Sequence, residues 1–239
     1  MIEVKRKLVS NYLTRKHKES FALQWVIFTL VACYAMSFLY WNYPVGEYLA
    51  ASPSKVFEMK EYWRLFTSSL IHADLSHFLS NSFMLSIMGY FVSYHYGAIL
   101  FPGIAFLFGI LINLIVIWGY PPEVSLVGAS GVVYWLWGFW LVLYLGIQRH
   151  VPIIRRVMKV SIVGLFVLLP NEFRAQTSYF AHAVGFILGV GFGILYFIFF
   201  NKKIFASEIW TNEIVHTDDD LVEEAMSQFR SSEENSTSI

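Results

Sequence analysis

Ser130 and His182 are the two residues of this chain whose types and settings best suit covalent chemistry. Ser130 lies in the stretch Gly128-Ala129-Ser130-Gly131, and His182 follows Ala181 in a long run without charge. A hydroxyl is a weak nucleophile, and an imidazole within reach takes its proton and activates it. His77 and Asn81 are four residues apart, so on a helix they share one face. Both side chains can donate hydrogen bonds to an oxygen on which negative charge develops. Gly128 and Gly131 leave the backbone around the serine open. A helix that starts at this point adds free N–H groups and the positive end of its dipole. Tyr134, one turn below Ser130, is placed to lie against the His182 ring and hold it.

Each of these residues also has a structural reading. A lone serine in an apolar helix usually bonds its own backbone. A glycine stripe is by itself a packing device. Tyr134 alone reads as packing, and His72 as a loop or interface residue. Metal binding by His72, His77, Asn81 and His182 is the rival chemistry. No HExxH motif supports it, no carboxylate sits at matching depth, and Asn is a poor zinc ligand. With a single cysteine, Cys33, neither an internal disulfide nor a cysteine zinc site can form. The expected metal and cofactor content is none.

The elements that must position these residues are membrane helices. The 239 residues are 56% hydrophobic, 18% aromatic and only 14% charged. A soluble chain carries about a quarter charged residues. Net charge is zero, which offers no general attraction to nucleic acid. A span needs about 20 apolar residues. Uncharged runs cover residues 20–46, 75–122, 124–148 and 175–201. The second run holds two spans, with a turn at residues 94–97. The stretch 151–170 is predicted as a fifth span, with Arg155, Arg156 and Lys159 snorkelling to the interface. The total is six. Basic residues fall near the N-terminus (Lys5, Arg6, Lys7, Arg15, Lys16, Lys18), around the fourth-to-fifth connection (Arg149, Arg155, Arg156, Lys159) and after the sixth span (Lys202, Lys203). Six spans put all three groups on the cytoplasmic side. The expected architecture is therefore an all-α membrane protein with both termini cytoplasmic. Residues 1–19 form a short basic segment, 20–201 a six-helix core with a first external loop at about 42–74, and 202–239 an acidic tail. Thr217 can cap a short tail helix carrying Leu221, Ala225 and Phe229, and the end from Ser231 reads as disordered.

Under this topology the second, fourth and sixth spans all enter from outside. Ser130 follows Glu123 by seven residues and His182 follows Arg174 by eight. At the helical rise both lie about 10–12 Å inward of those charges. Gly185, Gly189 and Gly193 share the His182 side of the sixth span and permit close approach of a neighbouring backbone, with Gly138 able to receive them. A transporter or channel would show ionisable groups at mid-membrane and a repeat of two halves. The polar set here sits near one membrane face, and no repeat is visible.

At these positions the chain resembles the rhomboid intramembrane proteases. Tyr62-Trp63-Arg64-Leu65-Phe66-Thr67 is similar to the family's WR motif. His72, then His77 and Asn81 as HxxxN, the Gly-Ala-Ser-Gly stretch with Tyr134, and Ala181-His182 leading into Gly185 and Gly189 follow in family order. They cover roughly residues 20–201. The resemblance implies a Ser130 nucleophile, a His182 general base and no third acidic member. It implies an oxyanion site from His77, Asn81 and the Ser130 backbone, inside a water-filled cavity opening outward. Substrates would be single-span transmembrane proteins, entering sideways past the fifth span and cut near their outer end beside a small residue. The absence of a seventh span is similar to the basic prokaryotic form, a multi-pass protein of the plasma membrane. The N-terminal segment is too short for the folded cytosolic domain some members carry, and the acidic tail has no family counterpart. A silent relative that binds transmembrane helices would typically lack the serine or the histidine, and both are present.

Overall fold

The computed structural model describes residues 2–17, 21–168 and 178–216, with residues 223, 226 and 227 of the tail. Arg174, the end of the fifth predicted span at Pro170, and the tail helix expected after Thr217 lie outside the described residues. The chain divides into two compact units, one of residues 16–201 and one of residues 1–15 with 202–239.

The larger unit is helical. The six predicted segments hold α1 (Ala22–Asn42), α3 (Leu75–Tyr96), α4 (Ala105–Trp118), α5 (Ser130–Ile147), α6 (Ile153–Leu168) and α7 (Tyr179–Phe205). A π-type stretch, Ile99–Ile104, leads into α4. Among the described residues four helices are long and apolar enough to cross a membrane: α1, the stretch Ile99–Trp118, α5 and α7. The other two are marginal for separate reasons. α3 carries His77, Asn81, His95 and several serines. α6 is 16 residues long and holds Arg155, Arg156 and Lys159. Arg156 donates to the Leu145 carbonyl, and the Lys159 ammonium lies 5.8 Å from the Tyr144 ring centre. The chain is an integral membrane protein.

α5 runs through the centre. Val133, Trp135, Leu136, Phe139, Leu143 and Ile147 are fully buried. A helix apolar on all sides must be covered on all sides. α3, α4 and α6 pack against it, and α1 packs on α3. α7 reaches it through glycine. A Cβ at Gly189 would run into the Trp135 carbonyl, and one at Gly185 into the Gly131 carbonyl. At Gly193 it would lie 3.1 Å from the Phe139 carbonyl. The α7 stripe Ala181, Gly185, Gly189 and Gly193 is buried. Gly138 answers from α5, where a Cβ would strike the Phe186 carbonyl.

The first loop is ordered by its own chemistry. It contains the short helix α2 (Arg64–Thr67). Arg64 is buried, and a buried guanidinium must be satisfied. It donates to Glu61 Oε2 at 2.6 Å and to the carbonyls of Glu47 and Ala50 at 2.6 and 3.0 Å. Trp63 Nε1 donates to the Tyr48 carbonyl at 3.2 Å. Leu126 N–H donates to the Ala51 carbonyl at 2.7 Å, which ties the loop to the segment leading into α5.

The smaller unit departs from the all-α expectation. β1 (Ile2–Ser10) pairs antiparallel with β2 (Ile209–His216) in a two-stranded sheet. From the sequence, only a short basic segment at 1–19 and an acidic tail at 202–239 are expected, with no strand in either. The reason is local: Val4, Arg6 and Leu8 alternate with Lys5 and Lys7, a period-two pattern that a search for long apolar spans passes over.

Candidate active site

Three helix ends meet at the candidate site. Ser130 is the first residue of α5. The N–H groups of a helix's first turn have no partner four residues back, so they remain available to a ligand. Gly128, two residues earlier, has φ +119°, which side-chain-bearing residues rarely adopt. Its N–H donates to the Ser68 carbonyl at 2.8 Å. This fixes the turn that delivers Ser130.

His77 and Asn81 line the space beside that turn. A Cβ at Gly128 would lie 2.8 Å from His77 Cε1, 3.1 Å from His77 Nε2 and 3.6 Å from Asn81 Nδ2. Glycine is required here twice, by its backbone angle and by the two α3 side chains. Asn81 is 5% exposed, and its Nδ2 has no hydrogen-bond partner among the described residues. A buried donor without a partner is costly. It is suited to an oxygen that arrives with a ligand. The start of α3 is capped by Asp74, which accepts from the His77 N–H at 2.7 Å.

His182 reaches the site from α7. Its ring stacks on Tyr134 with centroids 4.2 Å apart and planes 9° from parallel. Tyr179 meets it edge-on at 6.0 Å. The turn before it is held by Ser178. Ser178 Oγ accepts from the Ala181 N–H at 3.2 Å and from the Tyr120 hydroxyl at 2.6 Å. The neighbours of Ser130 and His182 are in contact: a Cβ at Gly131 would lie 3.8 Å from the Ala181 carbonyl. Among the described residues no hydrogen bond joins Ser130 to His182. Nucleophile–base bonds of this kind are often long until substrate binds.

The structure thus gathers Ser130, His182, Tyr134, His77, Asn81, Gly128 and Gly131 around one end of the bundle, and Gly185 and Gly189 lie along the α5–α7 contact that runs from it. Trp63 and Arg64 serve the first loop instead. His72, in the connection between α2 and α3, is a core residue rather than a loop-surface one, 1% exposed. It shares a hydrogen bond of 3.2 Å with the Ser37 hydroxyl, and Trp41 Nε1 donates to its carbonyl at 2.7 Å. Its ring meets His77 edge-on at 5.2 Å. Burial first, then His77, push its pKa down to about 3, against the pull of Asp74. His72 is therefore a neutral wall behind His77. Among the described residues no cluster of three or more His, Cys, Asp or Glu is placed to hold a metal.

Sequence reasoning missed Asn113. It is buried in α4 and donates toward the Leu65 carbonyl, Ser68 Oγ and Ser69 Oγ at 2.8, 2.9 and 2.8 Å. Ser68 in turn anchors Gly128. The signal was present: Asn113 is the one polar side chain in the apolar helix Ala105–Trp118.

The family model described as Rhomboid domain matches residues 59–199, which include the first-loop motif, Ser130 and His182. Rhomboid-related protein 2 of Mus musculus is 29% identical over 157 residues, covering 61% of this chain and 51% of that protein. The chain thus spans about half the length of the curated relative it matches. With the family model covering more than half of the sequence, the chain belongs to the rhomboid family.

Proposed function

We propose that this protein is an intramembrane serine endopeptidase that cuts other membrane proteins. One observation carries the reading: the first turn of α5 and the first turns of α7 approach each other through Gly131, Ala181 and Gly185, which supports Ser130 and His182 acting as a pair. His182 takes the Ser130 proton as the oxygen attacks a peptide carbonyl. The oxyanion is received by the free N–H groups at the α5 start and by His77 and Asn81. Collapse breaks the C–N bond, His182 gives its proton to the leaving amine, and an acyl-serine remains. Water, deprotonated by His182, then releases the acid and restores the serine. Tyr134, stacked on His182, holds the ring in place.

The substrate reading rests on family membership and on the bilayer setting. Single-span transmembrane proteins would enter past α6, the marginal helix, and be cut near their outer end. Six spans with both termini on the cytoplasmic side of a plasma membrane complete the proposal. A rival reading, a silent relative that binds transmembrane helices, draws on the missing Ser130–His182 hydrogen bond. A fluorophosphonate probe separates the two. We expect labelling at Ser130 and cleavage of a model transmembrane substrate, both lost in Ser130→Ala with thermal unfolding in detergent unchanged. Cleavage that persists in a folded Ser130→Ala variant overturns the assignment. An unlabelled, inactive wild type supports the silent relative.

A further inference from the structure

The two-stranded sheet of the chain ends has sides of different character. The register pairs Arg6 with Asn212 and Leu8 with Trp210, and pairs Lys5 with Glu213 and Lys7 with Thr211. Paired residues share a face, and faces alternate along a strand. Val4, Arg6, Leu8, Trp210 and Asn212 thus lie on one face. Lys5, Lys7, Thr211 and Glu213 lie on the other, where Lys7 pairs with Glu213 at 3.0 Å, together with Ile209, 59% exposed, at the end nearest α7. The first face is apolar and exposed: Val4 is 59% exposed and Trp210 37%. Its one charge, Arg6, sits over Trp210 with its guanidinium carbon 5.4 Å from the ring centre. Trp210 Nε1 donates to Glu208 Oε2 at 3.1 Å, so the carboxylate nearest this face lies just ahead of β2.

Such a sheet is not stable on its own. A lone pair of strands is marginal in water. Here the strands are also far apart in sequence, which adds the entropy of closing a long loop. Something must cover the Val4–Leu8–Trp210 face. The chain itself indicates what. β2 begins at Ile209, four residues after the last residue of α7, Phe205. α7 has 27 residues and is apolar enough to cross a membrane. At the helical rise it is about 40 Å long, so its end reaches the headgroup layer of a core about 30 Å thick. Lys202 and Lys203 in its last turn mark that layer. Trp210 is five residues past Phe205, a reach of at most about 18 Å, so it cannot leave the neighbourhood of the lipid surface. Tryptophan with an adjacent arginine is the chemistry that favours the interface, the ring among acyl ends and the cation beside phosphate.

We infer that the β1–β2 sheet is a lipid-surface module, seated with Val4, Leu8 and Trp210 in the headgroup layer and Arg6 on lipid phosphate. Lys5, Lys7 and Glu213 face water. This does not depend on the proposed peptidase activity.

The test uses the full chain with Cys33→Ala and one new thiol, Val4→Cys or Lys7→Cys, carrying an environment-sensitive fluorophore. The protein is reconstituted in phosphatidylcholine vesicles containing phosphatidylglycerol. Lipids brominated near the headgroup should quench and blue-shift the probe at Val4 and leave the probe at Lys7 unaffected. Adding Arg6→Glu should bring the Val4 signal down to the Lys7 level. Equal, unquenched emission at both sites overturns the inference. So does a shielded Val4 probe that brominated lipid does not quench and that dilution with unlabelled protein exposes, since a second copy of the chain would then be the cover.

Discussion

Asn81 holds the most exacting position of any side chain near Ser130. Its amide nitrogen is buried beside Gly128 and has no hydrogen-bond partner among the described residues. Replacing it with Ala removes a donor that the resting protein leaves unused. Stability should therefore hold or rise slightly, while catalysis suffers. Loss of one such donor costs about 10²–10³ in rate in other hydrolases. Asn81→Ala is expected to lower kcat by that order, with KM little changed and Ser130 still labelled slowly. His77→Ala should act in the same direction, and the pair together should fall short of complete loss because the backbone donors at α5 remain. Steady-state kinetics on a model transmembrane substrate reads both. Full activity in the double variant would remove α3 from the mechanism. The types and spacing of Ser130, His182, His77 and Asn81 were legible in the sequence, because polar groups in apolar helices stand out. The burial of His72 was not. A histidine before a helix start carries no mark of which way its ring turns, and only the packed Ser37 and Trp41 decide it.

The α5–α7 contact belongs to the scale of elements. Helix axes usually pack about 8–10 Å apart, too far for a side chain as short as serine to meet a base on the next helix with ease. Gly185 and Gly189 bring the backbones together, to the point where added Cβ atoms would overlap the Gly131 and Trp135 carbonyls. Those carbonyls are backbone and cannot swing aside. Gly189→Val is therefore expected to destabilise by at least the about 1–3 kcal/mol typical of overpacking, and to lower turnover by moving His182. Gly191→Val is the control. A Cβ there meets nothing within 4 Å, and the residue faces outward. Its helix propensity is better than that of glycine, so it should be neutral or mildly stabilising. Thermal unfolding in detergent together with turnover distinguishes the two. Equal tolerance at both sites would show that close packing does not set the His182 position. The glycine spacing alone announced this ridge. The bracing of Gly128 by Ser68 and of Ser68 by Asn113 was hidden, because it depends on a loop folding back over residues nearly fifty positions away.

At the scale of the whole molecule, four apolar helices were readable from length and charge, and the terminal sheet was not. Hydropathy responds to twenty apolar residues in a row; strand pairing between residues 2–10 and 209–216 is long-range and leaves only a weak alternation. Polar residues in α3 and basic residues in α6 lower the apolar character of these two helices, so they are where the crossing number is tested. With six spans, thiols introduced at Lys16 and Lys203 in a Cys33→Ala background should react with an impermeant reagent from one side of sealed vesicles. A thiol at Glu123 should react from the other. Lys203 reacting with Glu123 would mean an odd number of crossings.

The pairing of β1 with β2 also sets a clock. β1 leaves the ribosome first, and its partner strand is made only after every membrane helix. At the usual ~5–20 residues per second, the roughly 200 residues between them take about 10–40 s to synthesise. For that interval β1 is an open edge carrying its own unpaired N–H and C=O groups, next to a nascent membrane protein. Lys5, Arg6 and Lys7, three adjacent cations, guard the edge while it waits. The sheet can close only on a chain translated as far as His216, so its presence marks a chain whose intervening helices have all been synthesised.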